Sequence, residues 1–328
     1  MTALELVCPA GTPAALKAAV SSGADAVYLG FRDATNARNF PGLNFSRDEL
    51  QQGIDHAHDN GCKIFLAINT FPTAGDSTAW HQAVDDGASL GVDAVILADI
   101  GMLDYASRKH PDLRRHLSVQ ASASNPEAIR FYQDAFDVKR VVLPRVLSVA
   151  EIAALNKEID VETEVFVFGG LCVMAEGRCA LSSYATGQSP NTNGVCSPAC
   201  AVRYDEDENG RMVSKLGDFT INAFEADEAA GYPTLCKGRF VANGEASYLF
   251  EDPVSLNAAS ILPDLAKAGV TGLKIEGRQR GKAYIAKVVT SFRRAVDSMD
   301  DGAVVETDLT EITEGQRKTA GAYQKTWR

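Results

Sequence analysis

The 328-residue sequence contains no uninterrupted apolar run near the roughly 18 residues of a membrane span. Its first residues, Met1 to Pro9, have no basic stretch leading into an apolar one, so the expectation is a soluble, cytoplasmic chain with no membrane span. Positive charge is scarce: 32 Lys and Arg stand against 43 Asp and Glu, a net charge of −11, which argues against tight non-specific binding to nucleic acid. Histidine is rarer still. All five (His56, His58, His81, His110 and His116) precede residue 117, with no His-Glu-x-x-His, so a metalloprotease or a histidine-based Ser or Cys triad lacks its members. Neither a Gly-x-Gly-x-x-Gly after a strand nor a Walker A sequence is present, which removes support for a nucleotide cofactor. What remains is an ordinary globular composition, 45% hydrophobic with 27 glycines and 12 prolines.

Apolar runs of strand length alternate with segments of helical period. Strands are predicted at Leu4 to Pro9, Ala26 to Gly30, Lys63 to Asn69, Ala94 to Asp99, His116 to Ala121, Arg140 to Pro144, Thr163 to Phe168 and Gly272 to Glu276. Helices are predicted between them, the second opened by Ser46 with Glu49 three residues on as a capping box. Eight such units predict an α/β fold, a (β/α)8 TIM-like barrel; an open doubly wound sheet is the weaker alternative because it leaves edges. The rhythm breaks after Gly169-Gly170 for about 85 residues. The expected organisation is therefore residues 1–170 for barrel strands one to seven, 171–255 as a cysteine-rich insertion after strand seven, and 256–328 for strand eight and a closing helix, Ala283 to Met299.

A barrel carries its chemistry at the C-terminal ends of its strands. Those ends hold Arg32, Asn69, Asp99, Gln120 with Ser122, Arg145, and Glu276 with Arg278, where a buried strand would otherwise stay apolar. The two-residue period puts Lys274 and Glu276 on one face, read as an inward ion pair, and joins Asn69 to Phe65 and Ala67, Asp99 to Val95 and Leu97, and Gln120 to Ser118 and Ser122. Asp99, Gln120 and Glu276 are candidates to orient a substrate or move protons. Asn69, Lys274, Arg278 and, on the loop after strand two, Arg38 are candidates to bind it, arginine being suited to a carboxylate.

Five of the seven cysteines, Cys172, Cys179, Cys196, Cys200 and Cys236, fall in the insertion, together with Gly187, Pro190, Gly194 and Pro198, which permit tight backbone around a metal. Only Cys196 and Cys200 have a spacing usual for structural zinc; irregular gaps of six, sixteen and thirty-five residues suit an iron-sulfur cluster about as well. Cys8 and Cys62 read as buried apolar residues.

The run FGGLCVMAEGRCALSSYATGQSPNTNGVCSPAC from Phe168 to Cys200, with GYPTLCKGR at Gly231 to Arg239, LKIEGRQR at Leu273 to Arg280, LVCPAG and GADAVYLG, resembles the collagenase-like peptidase superfamily, and within it the UbiU group. That resemblance implies a 4Fe-4S cluster on Cys172, Cys179, Cys196 and Cys236, with Cys200 a departure from the pattern. It also implies oxygen-independent hydroxylation of the aromatic ring of prenylated ubiquinone precursors, in a heterodimer with a UbiV-like paralogue, with a sterol-carrier-like lipid-binding protein presenting the substrate and prephenate as hydroxyl donor. Two other readings stand beside it: a tRNA or rRNA hydroxylase of the same superfamily, and a zinc-stabilised non-catalytic scaffold.

Overall fold

The computed structural model describes residues 4–190, 195–228, 230–299, 307, 309–313 and 317–324; Gly194 lies outside them. Eight parallel strands close into a barrel: β1 (Glu5–Pro9), β2 (Ala26–Leu29), β3 (Lys63–Ile68), β4 (Ala94–Leu97), β5 (Arg115–Leu117), β6 (Val138–Val142), β7 (Glu162–Gly170) and, far along the chain, a strand at Gly272–Ile275 that pairs with both β1 and β7. Helices α1 (Pro13–Ser21), α2 (Arg47–Asp59), α3 (Thr78–Leu90), α4 (Ile100–Lys109), α5 (Pro126–Phe136) and α6 (Val149–Leu155) alternate with the first seven strands. Their starts follow local chemistry. Ser46 and Ser148 cap α2 and α6 through capping boxes with Glu49 and Glu151, and Asn125 caps α5 ahead of a proline.

After β7 the chain makes a short helix, α7 (Leu181–Thr186), then a three-stranded antiparallel sheet of β8 (Val202–Glu206), β9 (Met212–Leu216) and β10 (Phe219–Phe224), and a hairpin of β11 (Arg239–Ala242) and β12 (Glu245–Tyr248). Strand β13 (Ser255–Asn257) returns antiparallel onto the far end of β7. Helix α8 (Leu262–Lys267), the closing barrel strand β14 (Gly272–Ile275), helix α9 (Lys282–Asp297) and a two-residue strand β15 (Lys318–Thr319) on β13 complete the order. Sequence periodicity misses β13 because three residues, Ser-Leu-Asn, are too few to display a period.

Strand parity separates two kinds of core. Outward-facing Leu6, Val27, Ile64, Leu66, Val95 and Leu97 pack under the helices, where Cys8 and Cys62 are also buried. Inward-facing Val7, Ala26, Tyr28, Phe65, Ala67, Ala94 and Ile96 form the smaller barrel interior. Charge fills the rest of that interior. Arg140 bonds Glu5 at 2.5 Å and Glu164 at 3.1 Å, and Lys274 bonds Glu164 at 2.6 Å, so each buried ion has an opposite partner. The expected Lys274–Glu276 pair is thus corrected: Lys274 is spent on Glu164 of the neighbouring strand.

His116 belongs to this interior. It is fully buried, its ring lies edge-on to Phe65 at 4.7 Å, Nε2 accepts from Arg114 Nε at 3.0 Å, and Nδ1 has no partner. Burial first, then the nearby Arg140 and Arg114, push its pKa well below the ordinary range, so it is neutral in the folded chain. A depressed histidine leaves the unfolded state binding more protons below about pH 6.5, so stability falls as pH drops through that point. Melting temperature between pH 7.5 and 5 is expected to decline in the wild type and to decline less steeply in His116→Gln, which keeps an acceptor for Arg114. Equal slopes would show that another group controls the acid limb.

Candidate active site

Residues from β2 to β7 and from β14 wall a cavity of about 100 Å³ at the C-terminal mouth of the barrel. Tyr28 and Phe166 supply aromatic faces. Arg38, Arg145, Lys274 and Arg278 supply positive charge, and Glu176 and Glu276 the negative charge. Asn69, Ser118 and Gln120 complete the polar lining. Every strand-end candidate named from the sequence to bind or act on a substrate therefore meets here except Asp99.

Asp99 is placed elsewhere by its parity. It follows Val95 and Leu97 on the outward face, and its carboxylate accepts from the Met102 N–H at 3.0 Å as the cap of α4. Gln120 reaches the cavity by another route than an extended strand. β5 stops at Leu117, Ser118 Oγ accepts from the Gln120 N–H at 3.3 Å, and a short 3-10 turn ends in left-handed Ser122 at φ 54°. The Gln120 Oε1 is buried with no hydrogen-bond partner. Arg32 stays outside, paired with Glu49 at 2.7 Å on the surface.

The loop after β2 is held over the mouth by amide side chains. Asn69 Oδ1 accepts from the Ala37 N–H at 3.1 Å and Asn36 Oδ1 from the Arg38 N–H at 2.9 Å, which aims Arg38 at Glu276, 3.2 Å away. Glu276 accepts a second bond from Arg145 at 2.6 Å, with 27% of its side chain exposed. Burial would raise its carboxyl pKa, but Arg145 and Arg38 together hold it below the usual range, so it is an anion.

Arg278 is different from the other cations. It is 5% exposed, its Nη1 has no hydrogen-bond partner, and among the described residues no carboxylate lies within ion-pair distance. Burial pushes its pKa down to about 10, so it remains charged at neutral pH. The pocket is shaped around it: a Cβ on Gly30 would come within 2.8 Å of that Nη1 and 2.6 Å of the Asn36 side chain. A buried guanidinium with no carboxylate in contact, facing a cavity, has hydrogen-bonding capacity left for an anion.

The cysteine segment adjoins this mouth, since Glu176 lies between Cys172 and Cys179. Burial raises the thiol pKa values of Cys172, Cys196 and Cys236, the last to about 11. The sulfurs are near enough to act on one another: Cys196 on Cys172, Cys179 on Cys196, and both Cys196 and Cys179 on Cys236. Cys196 reaches solvent, yet protein crowds its sulfur enough for burial to dominate. Cys200 is exposed and its charge acts on Tyr232. Among the described residues no three Cys, His, Asp or Glu side chains converge tightly enough for a single metal ion. An iron-sulfur cube takes four thiolates spread around several atoms, and Cys172, Cys179, Cys196 and Cys236 are free thiols of this segment that act on one another pairwise.

No histidine lines the cavity. His58 pairs with Asp93, His110 with Asp85, and His81 stacks on Tyr105.

The model for peptidase family U32 matches residues 11–326. The chain belongs to peptidase family U32. Among its relatives is the tRNA hydroxylation protein P of Escherichia coli (strain K12), 34% identical over 95% of this chain and 72% of the relative. The 23S rRNA 5-hydroxycytidine C2501 synthase of the same organism is 30% identical over 90% of this U32 chain and 40% of its own length. An uncharacterized protease of Methanocaldococcus jannaschii is 32% identical over 92% and 67%. Hydroxylation is therefore an activity for which U32 relatives are named. Among the described residues, no helix of this U32 chain is long and apolar enough to cross a membrane.

One site residue escaped the sequence reading. Glu176 is a lone acid in the cysteine run, 8% exposed and bonded to Arg145 at 2.5 Å, and its only sequence signal was its place between two cysteines.

Proposed function

We propose that this chain is a hydroxylase subunit in which a small carboxylate acts as hydroxyl donor at the barrel mouth, beside a 4Fe-4S cluster held by Cys172, Cys179, Cys196 and Cys236. The observation that carries the reading is the unpaired, buried Arg278 facing a polar cavity that the cysteine loop helps to wall. When bound, the cluster would carry single electrons between donor and acceptor, oxidation of the acceptor being balanced by reduction of the donor that gives up its hydroxyl. Arg278 grips the donor carboxylate, Tyr28 and Phe166 pack on its apolar part, and Gln120 Oε1 accepts a hydrogen bond from its hydroxyl. Glu276, held anionic, is placed to take a proton from a group entering between it and Arg38. A volume near 100 Å³ is below the roughly 300–1,000 Å³ of ordinary ligand sites, so the donor fills it and the acceptor approaches from the open side.

Two acceptors are supported by different observations. The names of the relatives support RNA, either tRNA or rRNA. The net charge of −11 favours an uncharged aromatic acceptor, the ubiquinone-precursor ring, delivered by a UbiV-like partner and a lipid-binding protein, with prephenate as donor. Deleting the gene and growing the strain without oxygen separates them. Loss of one hydroxylated ribonucleoside, with quinones unchanged, establishes RNA. Accumulation of an under-hydroxylated quinone precursor, with RNA unchanged, establishes the ring. If neither pool changes, the hydroxylase reading is wrong.

A further inference from the structure

The cysteine loop is fastened to the cavity wall at three points. Glu176 accepts from Arg145 Nη1 at 2.5 Å and from the Arg145 backbone N–H at 3.3 Å. The Glu176 carbonyl accepts from Ser122 Oγ. Gly177, at φ +85°, lies so close to the turn bearing Gln120 that a Cβ would sit 2.0 Å from the Gln120 carbonyl oxygen. The other end of the same guanidinium bonds Glu276 at 2.6 Å, and Glu276 bonds Arg38 at 3.2 Å. Arg145 also lies over Phe166, its guanidinium carbon 3.5 Å from the ring centroid. One buried arginine, 7% exposed, therefore spans two carboxylates, one from the loop between two cysteines and one from the donor cavity.

Such a fork is rigid. Its two arms are not independent, because a guanidinium is planar and Phe166 packs against it. If the loop withdraws Glu176, Arg145 is left buried with half its counter-charge and re-aims at Glu276, which alters the geometry Glu276 shares with Arg38. The turn holding Gln120 loses its support at the same time. Both changes weaken a carboxylate site that depends on preorganisation.

We infer that Arg145 is a positioning residue coupling occupancy of the cysteine segment to carboxylate binding in the cavity, so that the loaded protein binds its anionic donor more tightly than the metal-free protein. The inference rests on the cluster and donor readings proposed above. By reciprocity the bound carboxylate must tighten the hold on iron by the same factor.

Phenylpyruvate, an aromatic carboxylate, serves as the probe, titrated calorimetrically into reconstituted and metal-free protein under anaerobic conditions. The expected result is affinity at least tenfold higher in the loaded form, with that ratio falling below threefold in Glu176→Gln and in Arg145→Lys. A purely structural role would lower both affinities together and leave the ratio intact, which overturns the coupling. So does a ratio near one in the wild type when iron is bound. Failure to take up iron overturns the cluster reading and this inference with it; iron uptake with no phenylpyruvate binding in either form overturns the donor reading and the coupling together. Glu176→Gln is nearly isosteric, so it keeps the test valid if the arginine variant does not fold.

Discussion

Anaerobically purified Cys236→Ala is expected to lose its iron, falling from about four atoms per chain to below one, while Cys200→Ala keeps the full complement. Spacing in the chain points the other way, because three residues separate Cys196 from Cys200 and thirty-five separate Cys200 from Cys236. The tertiary arrangement favours Cys236. Cys236 is half-buried, packed against the hydrophobic core, and its thiol feels both Cys179 and Cys196. Cys200 is exposed, follows Pro198 into a short turn, and acts on Tyr232 instead. Of the two, Cys236 is the one that is partly buried and whose thiol lies within reach of two of the other cysteines. Iron and sulfide analysis with ultraviolet-visible and electron paramagnetic resonance spectra makes the measurement. Iron lost from Cys200→Ala and kept in Cys236→Ala would reverse the ligand set, and stoichiometric zinc without iron would remove the cluster.

Arg278→Ala is expected to lower kcat/KM for the donor by about 10²–10³, the roughly 3–4 kcal/mol of a buried charge-assisted carboxylate contact. The same variant is expected to melt higher than the wild type, by about 1–3 °C. The two effects share one cause. Burial with no carboxylate in contact is unfavourable in the free protein, enough to push the Arg278 pKa down to about 10, and a bound donor carboxylate would relieve it. Removing the charge therefore relieves the fold and empties the site, the usual opposition of stability and function. Initial rates over a donor series and melting curves without ligand test both halves. A variant that is less stable and equally active would show that Arg278 is structural. Arg278→Lys should recover little of the rate, since an ammonium cannot make the two-pronged contact.

The barrel could be read from the chain because its signals are local. A strand in a closed parallel sheet is apolar along its length, its helix carries its own cap, and each repeats on a scale of ten to twenty residues. Capping boxes at Ser46 and Ser148 and the apolar runs at Val27, Leu66, Val95 and Val141 all lie within such windows. The concentration of five thiols after β7 was equally visible. Their grouping was not, since Cys236 joins the others only after β8, β9 and β10 fold the chain back.

Partners across the barrel were likewise out of reach. Parity says which residues of one strand share a face, and it correctly put Lys274 and Glu276 together. It is silent on register against β7, in which Glu164 stands opposite Gly272 and is reached diagonally by Lys274, leaving Glu276 to Arg145. Nor does it say which of the two faces is the inner one: the face holding Asn69 opens on the cavity, while the face holding Asp99 turns to the helices and serves a cap. Periodicity is a property of a few neighbouring residues, whereas an ion pair 110 or 131 residues apart is chosen by how strands align when the barrel closes.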